Sequence, residues 1–137
     1  MPISVYTDGS SKGNPGPGGW GVHIDKDGEI YEFFGRDDNT TNNKMELKAA
    51  IEGLIFFKEH QQLDLYTDSA YVLNGITTWI KGWKKNGWKN SKNQPVKNKE
   101  LWQKLDFQNS RHKVRWIKVK AHSGDRRNDR ADYLATF

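Results

Sequence analysis

Residues 3–19 constrain the fold more than any other part of the chain, because a strand pattern runs directly into a dense turn. Residues 3–10 alternate with period two and include β-branched and aromatic side chains, which predicts a strand. Residues 12–19 then contain four glycines and two prolines, a strong turn signal. Asp8 lies near the end of the strand although aspartate is a poor strand former. It is either a turn residue that caps a nearby amide or a carboxylate held toward a ligand.

A second strand repeats this arrangement. Residues 63–67 are largely apolar and lead into Tyr66-Thr67-Asp68-Ser69, which matches Tyr6-Thr7-Asp8-Gly9. This strand follows a helical pattern from residue 45 to about residue 60, and the order strand, helix, strand predicts a crossover with parallel pairing. Both strands should therefore deliver an aspartate to the same edge of one sheet.

The remaining pattern completes one α/β domain. Residues 20–24 and 30–34 predict two strands joined by an Asp27-Gly28 hairpin, so the first three strands should be antiparallel. Residues 114–119 predict the last strand, and a short helix follows from about Asn128. We expect residues 1–137 to form a single domain with a five-stranded mixed sheet and helices on both faces.

The helices carry their own start signals. Asn43 with Glu46 three residues later resembles a capping box, which gives Glu46 a structural reading beside a functional one. Ser69 should cap a second helix that breaks near Gly75 and resumes through residues 79–83, and Asn98 can cap another.

Composition restricts the partners, metal sites and cellular location that we expect for this chain. The net charge is +5 and the isoelectric point is near 9.4, which suggests a polyanionic partner. Residues 81–99 contain seven lysines and no acidic residue, and glycine and tryptophan interrupt the lysines. This segment is either a binding surface for the polyanion or a solvated lysine face. Cysteine is absent, which excludes disulfides and Cys-ligated zinc. No apolar run approaches a membrane span and no signal region opens the chain, so a soluble cytoplasmic protein is expected.

Four carboxylates are candidate metal ligands at the predicted sheet edge: Asp8, Glu46, Asp68 and Asp132. Carboxylates this close repel one another, so without a cation at least one should have a raised pKa. Oxygen ligands without cysteine suit Mg²⁺ or Mn²⁺. Two such ions about 4 Å apart support in-line displacement at phosphorus, which makes a phosphodiester the expected substrate. Asp129 lies on the same helical face as Asp132 and is the alternative ligand.

Five blocks, at residues 7–10, 13–19, 40–47, 67–72 and 122–132, resemble the bacterial ribonuclease HI family in order and spacing. The resemblance implies a ribonuclease H-like fold and a metal-dependent endonuclease that hydrolyses the RNA strand of RNA/DNA hybrids. It implies two Mg²⁺ ions, replaceable by Mn²⁺, and products with 5′-phosphate and 3′-hydroxyl ends.

The resemblance also assigns roles to the catalytic candidates. Asp8 would bridge both metals, Asp132 would complete the water-activating site, and Glu46 and Asp68 would hold the other ion. His122 matches a mobile histidine thought to help in proton transfer or product release; the alternative is a solvent-exposed loop histidine.

Substrate contacts follow from the same resemblance. The backbone at Gly9 and Ser10 and the Glu46 side chain would meet 2′-hydroxyls, which distinguish RNA from DNA. The remaining expected contacts are the minor-groove residues Asn14, Asn42 and Asn43, the phosphate pocket of Thr41 and Asn98, the DNA-channel residues Trp79 and Trp83, and Lys84, Lys85 and Lys89 in a basic protrusion at about residues 81–99.

Two departures from the family pattern bear on this binding. Ala70 stands where many relatives have a glutamine that contacts RNA, and Asn39 stands where an arginine often supports the phosphate pocket. The alternatives are a catalytically silent nucleic-acid-binding module and a transposase or integrase core; the latter normally lacks the Asn14-Pro15-Gly16 loop and the protrusion. We expect an RNA/DNA hybrid as partner, no membrane, no obligate protein partner and a monomer.

Overall fold

The sheet has five strands in the order β3-β2-β1-β4-β5, in a computed structural model that describes residues 2–120 and 125–136. The strands are β1 (Ile3–Ser11), β2 (Gly16–Lys26), β3 (Glu29–Thr40), β4 (Gln62–Thr67) and β5 (Lys113–Lys118). β1, β2 and β3 pair antiparallel, whereas β4 is parallel to β1 and to β5. This confirms the mixed sheet. β2 and β3 are longer than predicted because the glycine-rich residues 16–19 pair with residues 36–40 instead of forming a turn.

The helices are α1 (Asn42–Ile55), α2 (Ala70–Asn74), α3 (Ile80–Asn86), α4 (Lys99–Arg111) and α5 (Arg126–Thr136). α1 ends about five residues earlier than predicted, since the Arg111 side chain donates hydrogen bonds to the carbonyls of Phe57 and Lys58 and holds that segment outside the helix. The predicted break near Gly75 is wrong. A π-helical segment, Gly75–Trp79, joins α2 to α3, and a Cβ at Gly75 would overlap the Trp102 ring.

Two of the predicted helix starts differ from the structure. Thr41 caps α1, with its hydroxyl accepting a hydrogen bond from the Lys44 amide at 3.2 Å. The capping box built on Asn43 and Glu46 is therefore wrong, and Glu46 is available for the site described below. Asn98 precedes α4 without a side-chain capping bond. Ser69 does cap α2, accepting from the amide of Val72 at 3.1 Å.

Helices cover both faces of the sheet, as predicted. A Cβ on Gly53 of α1 would contact Val22 of β2, whereas a Cβ on the preceding strand residue, Gly21, would lie 2.5 Å from the Ala131 carbonyl of α5. Because consecutive strand residues point to opposite faces, α1 and α5 lie on opposite sides. The core on the α1 side includes Val5, Leu47, Leu54, Leu65, Trp102 and Leu105. No helix in the described ranges is long and apolar enough to cross a membrane.

Candidate active site

Asp8 and Asp68 are neighbours because the strands that carry them are parallel and in register. Tyr6 pairs with Tyr66 across β1 and β4, and the two rings stack with centroids 4.3 Å apart and planes within 3°. Each aspartate follows its tyrosine by two residues, which returns it to the same face of the sheet. The repeated Tyr-Thr-Asp pattern thus places two carboxylates side by side above a stacked tyrosine pair.

Glu46 reaches the same point from α1. The first turn of α1 lies directly against β1, since a Cβ at Gly9 would overlap the Glu46 amide and the Met45 carbonyl carbon. Only glycine at residue 9 permits this approach. One carboxylate oxygen from each of Asp8, Glu46 and Asp68 lies within 4.8 Å of the other two. Three separate elements therefore converge on one acidic cluster.

Asp132 joins the cluster from α5, on the opposite side of the sheet from α1. Its carboxyl group lies within hydrogen-bonding reach of Asp8, whereas Asp129 is exposed. The helix fits closely over β2 because residue 21 is glycine; a Cβ there would lie 2.5 Å from the Ala131 carbonyl and 2.6 Å from the Leu134 Cβ. Of the two candidate aspartates on α5, the structure brings Asp132 to the site.

Burial and mutual repulsion determine the electrostatics of the cluster. Asp8 is only 5% exposed, and burial raises its pKa to about 8, with Asp68 and Asp132 adding to the effect and the Gly9 amide, 2.9 Å away, opposing it. Burial likewise raises the pKa of Glu46 well above its usual range, and Asp8 and Asp68 raise it further. This agrees with the repulsion expected from the sequence.

The donor set suits a hard divalent cation. Glu46 Oε1 is buried and has no hydrogen-bond partner among the described residues, although a buried polar atom normally has one. A cation between these carboxylates would satisfy that oxygen and neutralise the repulsion. The cluster contains only oxygen ligands, which Mg²⁺, Mn²⁺ and Ca²⁺ prefer. The residues present therefore fit a metal site.

Charged contacts hold α5 against the sheet behind the cluster. Arg130 donates to both carboxylate oxygens of Glu32 at 2.9 and 2.8 Å, and His23 Nδ1 lies 2.8 Å from the same group. The Arg130 hydrogen bonds, assisted by His23, lower the pKa of Glu32 to about 2. The Arg127 guanidinium lies 4.8 Å from the centre of the Tyr6 ring. His23 thus has a structural contact, with Glu32.

The asparagines expected to meet substrate form a network beside the cluster. Asn14 Oδ1 accepts from the Asn42 amide at 3.1 Å, and Asn42 Oδ1 accepts from the Ser11 amide at 2.8 Å. Asn14, Asn42 and Asn43 are all exposed. These bonds connect the glycine-rich segment to the start of α1 while leaving a polar surface next to the carboxylates.

The two residues of the expected phosphate pocket are engaged in structural contacts. The Thr41 hydroxyl caps α1. The Asn98 side chain donates to the Tyr71 hydroxyl at 3.1 Å, and Trp102 Nε1 donates to the same oxygen at 3.0 Å. Asn98 and Lys44 also line a surface groove of about 500 Å³ between the starts of α1 and α4.

The aromatic residues near the basic segment divide between surface and core. Trp79 is 40% exposed, and its ring centre lies 6.0 Å from that of the half-buried Trp83. Trp102 is fully buried and Trp88 is half-buried, so both pack within the protein.

The lysines of the protrusion lie on α3 and the segment that follows it. Lys84, Lys85 and Lys89 are exposed, and α4 supplies an acidic partner for one of them, with Lys84 Nζ 3.3 Å from Asp106. His122 lies outside the described residues.

Sequence reasoning missed the residues that seat α5. The sequence pattern places Gly19 in the predicted turn and Gly21 in the predicted strand, and it assigns no role to Arg36. Glycines at alternate positions of β2 were the available signal, since a glycine inside a strand often marks the close approach of another backbone. No comparable local signal pointed to Arg36.

Comparisons with known proteins agree with this geometry. The family model described as RNase H matches residues 2–137. Ribonuclease H of Mesorhizobium japonicum is 54% identical over 133 residues, 97% of this chain and 75% of that protein. Ribonuclease HI of Brucella melitensis biotype 1 is also 54% identical over 133 residues, 97% of this chain and 86% of that protein.

Solved structures share the fold. LC9-RNase H1, a type 1 RNase H with the type 2 active-site motif, matches with a TM-score of 0.85 and 32% identity over 98% of this chain and 70% of that one. LC11-RNase H1 in complex with an RNA/DNA hybrid matches with a TM-score of 0.72 and 24% identity over 98% and 94% of the respective chains. The carboxylate cluster, the sheet order and these likenesses lead to one conclusion: the chain belongs to the ribonuclease H family, endonucleases that hydrolyse the RNA strand of RNA/DNA hybrids.

Proposed function

We propose that this ribonuclease H holds two Mg²⁺ ions on Asp8, Glu46, Asp68 and Asp132, with Mn²⁺ able to substitute. The observation that carries the proposal is the buried cluster itself, in which Asp8 and Glu46 have raised pKa values and Glu46 Oε1 has no hydrogen-bond partner among the described residues. When bound, two such ions supply activation of the attacking water and stabilisation of the leaving 3′-oxygen.

Asp8 occupies the central position among the ligands and is proposed to serve both ions. It contacts Glu46 on one side and Asp132 on the other, with Asp68 beside it. Asp132 would serve the ion on the water side, and Glu46 and Asp68 the other. Because the four groups come from β1, α1, the end of β4 and α5, the fold orients them before substrate arrives, which limits reorganisation during the reaction.

His122 is proposed to exchange a proton with the reacting groups or to assist product release. An imidazole ordinarily titrates near pH 6.5, so it can both accept and donate a proton near neutrality. His122 follows β5 by four residues, and α5, which carries Asp132, begins four residues after it.

We propose that the RNA strand is recognised at the carboxylate cluster and beside it. The Gly9 and Ser10 backbone and the Glu46 side chain would contact 2′-hydroxyls, the chemical difference between RNA and DNA. Asn14 and its partner Asn42 would contact the strands in the minor groove, together with Asn43. Their exposure supports this assignment.

The DNA strand is proposed to run past Trp79 and Trp83 toward the basic protrusion. An exposed tryptophan face offers a surface for a sugar or base, and the lysines at 84, 85 and 89 can pair with phosphates. The groove at Asn98, close to the Thr41-capped start of α1, is the proposed phosphate pocket. The chain would work as one domain of residues 1–137, as a monomer in the cytoplasm, in keeping with its lack of cysteine.

Cleavage of a labelled RNA/DNA hybrid, beside duplex RNA, duplex DNA and single-stranded RNA, tests this function. We expect cutting confined to the RNA of the hybrid, dependent on Mg²⁺ or Mn²⁺ and abolished by EDTA. Asp68→Asn should remove cleavage, while the matched change Asp38→Asn, on an exposed residue of β3, should not. Salt-sensitive binding without cutting would indicate a silent binding module, and joining of DNA ends would indicate a transposase-like core.

A further inference from the structure

Arg36 spans from β3 to the end of α5, on the face of the sheet that carries Asp132. Its Nη2 donates to the Leu134 carbonyl at 2.9 Å, and its Nη1 donates to the Ala135 carbonyl at 3.0 Å. The side chain passes over Gly19 of β2, where a Cβ would overlap the guanidinium and lie 2.5 Å from the Ala135 carbonyl. The passage therefore depends on glycine at residue 19.

These bonds give partners to two carbonyls in the last described turn of α5. Carbonyls in the last turn of a helix have no partner within it. The Thr136 hydroxyl lies within hydrogen-bonding distance of the Asp132 and Tyr133 carbonyls, at 3.1 and 3.3 Å. Arg36 donates to the next two carbonyls, those of Leu134 and Ala135. A positive charge also favours the negative end of the helix dipole.

The last described turn of α5 depends on contacts with the sheet. The described helix, Arg126–Thr136, has 11 residues, and a helical segment of this length owes most of its stability to tertiary packing. Leu134 and Ala135 follow Asp132 by two and three residues, within the same turn. If their carbonyls lose the guanidinium, the last turn frays and the Asp132 carboxylate moves relative to Asp8.

We propose that Arg36 is a positioning residue for Asp132: it clamps the last turn of α5 to the sheet and so holds the Asp132 carboxylate against Asp8. The inference rests on the proposed function, in which Asp132 is a metal ligand. Arg36 acts through the helix backbone, so its removal should alter metal binding and turnover while leaving substrate binding intact.

Metal binding is the first test, with Mn²⁺ alone as the titrant in calorimetry. We expect Arg36→Met to weaken Mn²⁺ binding severalfold. Arg115→Met is the matched control, because Arg115 also makes two side-chain hydrogen bonds, to Asp64 at 3.1 and 3.0 Å, on the strand farthest from β3. In an Asp132→Asn background, Arg36→Met should cause no further loss, since residues that act as a unit are not additive.

Kinetics and hydrogen exchange supply the second test. We expect Arg36→Met to lower kcat by about tenfold with KM changed less than about twofold, the pattern of a misplaced catalytic group. Amides of the last turn of α5 should exchange faster, with those of α1 unchanged. If Arg36→Met does not fold, Arg36→Lys, which can reach one carbonyl in place of two, should give an intermediate loss of kcat.

The outcomes separate the inference from the function on which it rests. If Asp132→Asn abolishes turnover while Arg36→Met and Arg115→Met behave alike, Arg36 has no positioning role. The same conclusion follows if Arg36→Met weakens Mn²⁺ binding equally in the Asp132→Asn background. If Asp132→Asn itself keeps full turnover and Mn²⁺ affinity, the proposed role of Asp132 fails and the inference fails with it.

Discussion

Asp8→Asn should make the metal-free protein more stable at neutral pH, although it should abolish cleavage. In the folded protein without metal, burial raises the pKa of Asp8 from 3.8 to about 8. The folded state therefore binds this proton more tightly than the unfolded state does. Stability from this group is complete below pH 4 and is lost as the pH rises toward 8.

The size of the effect follows from the same interval. Each pH unit between the two pKa values is worth about 1.4 kcal/mol, and roughly three such units lie between 3.8 and pH 7. The acid thus costs the folded state up to about 4 kcal/mol at pH 7. Asparagine has nearly the same shape, carries no charge, and keeps an oxygen for the Gly9 amide that now donates at 2.9 Å. We expect a gain of about 1 to 4 kcal/mol.

Urea unfolding in EDTA at several pH values measures this difference, with Asp38→Asn as the exposed control. The curves of wild type and Asp8→Asn should coincide near pH 4 and separate as the pH rises to 8. Adding Mg²⁺ should stabilise the wild type more than the variant, because a ligand stabilises only the form that binds it. A difference that does not change with pH, or a loss above about 2 kcal/mol at pH 7, would refute the reasoning.

Two further predictions concern substrate binding and the seat of α5. Replacing Lys84, Lys85 and Lys89 with alanine should raise KM and leave kcat within about twofold. The slope of log KM against log salt concentration should decrease by up to roughly 0.9 per lost phosphate contact. An unchanged slope would show that these three lysines do not contact the substrate phosphates. Gly21→Ala should lower kcat and cost about 1 to 3 kcal/mol of stability, because its Cβ would lie 2.5 Å from the Ala131 carbonyl. In the control Gly82→Ala the added Cβ meets nothing within 4 Å, so kcat should stay unchanged. An equal kcat in both variants would contradict the close fit of α5.

The pairing of Asp8 with Asp68 could be predicted because it depends on local patterns and one rule of topology. One Tyr-Thr-Asp segment lies within β1 and the other spans the end of β4. The antiparallel strands β2 and β3 bring the chain back to the direction of β1, and α1 connects β3 to β4. A crossover connection makes the strands parallel, and parallel strands in register place matching residues side by side.

Glu46 shows where local pattern stops being sufficient. Its spacing from Asn43 fits a capping box, and its position on α1 fits a metal ligand equally well. The choice depended on Thr41, one residue before the helix, which takes the capping role. The end of α1 could not be predicted from local pattern either, because Arg111, more than 50 residues away in sequence, holds the segment that follows the helix.

Two glycines in the sheet allow helices on opposite faces to bring their carboxylates together. Gly9 lets α1 lie against β1 and deliver Glu46, and Gly21 lets α5 lie against β2 and deliver Asp132. A side chain at either position would push the helix away from the sheet and move its carboxylate out of reach of a shared metal ion. The same closeness buries Asp8 and raises its pKa, so the geometry that prepares the site for a cation also makes the metal-free site unstable. Metal affinity and the raised pKa of Asp8 are therefore two results of one packing arrangement, and a substitution that loosens either helix should weaken metal binding and bring the pKa of Asp8 closer to its usual value.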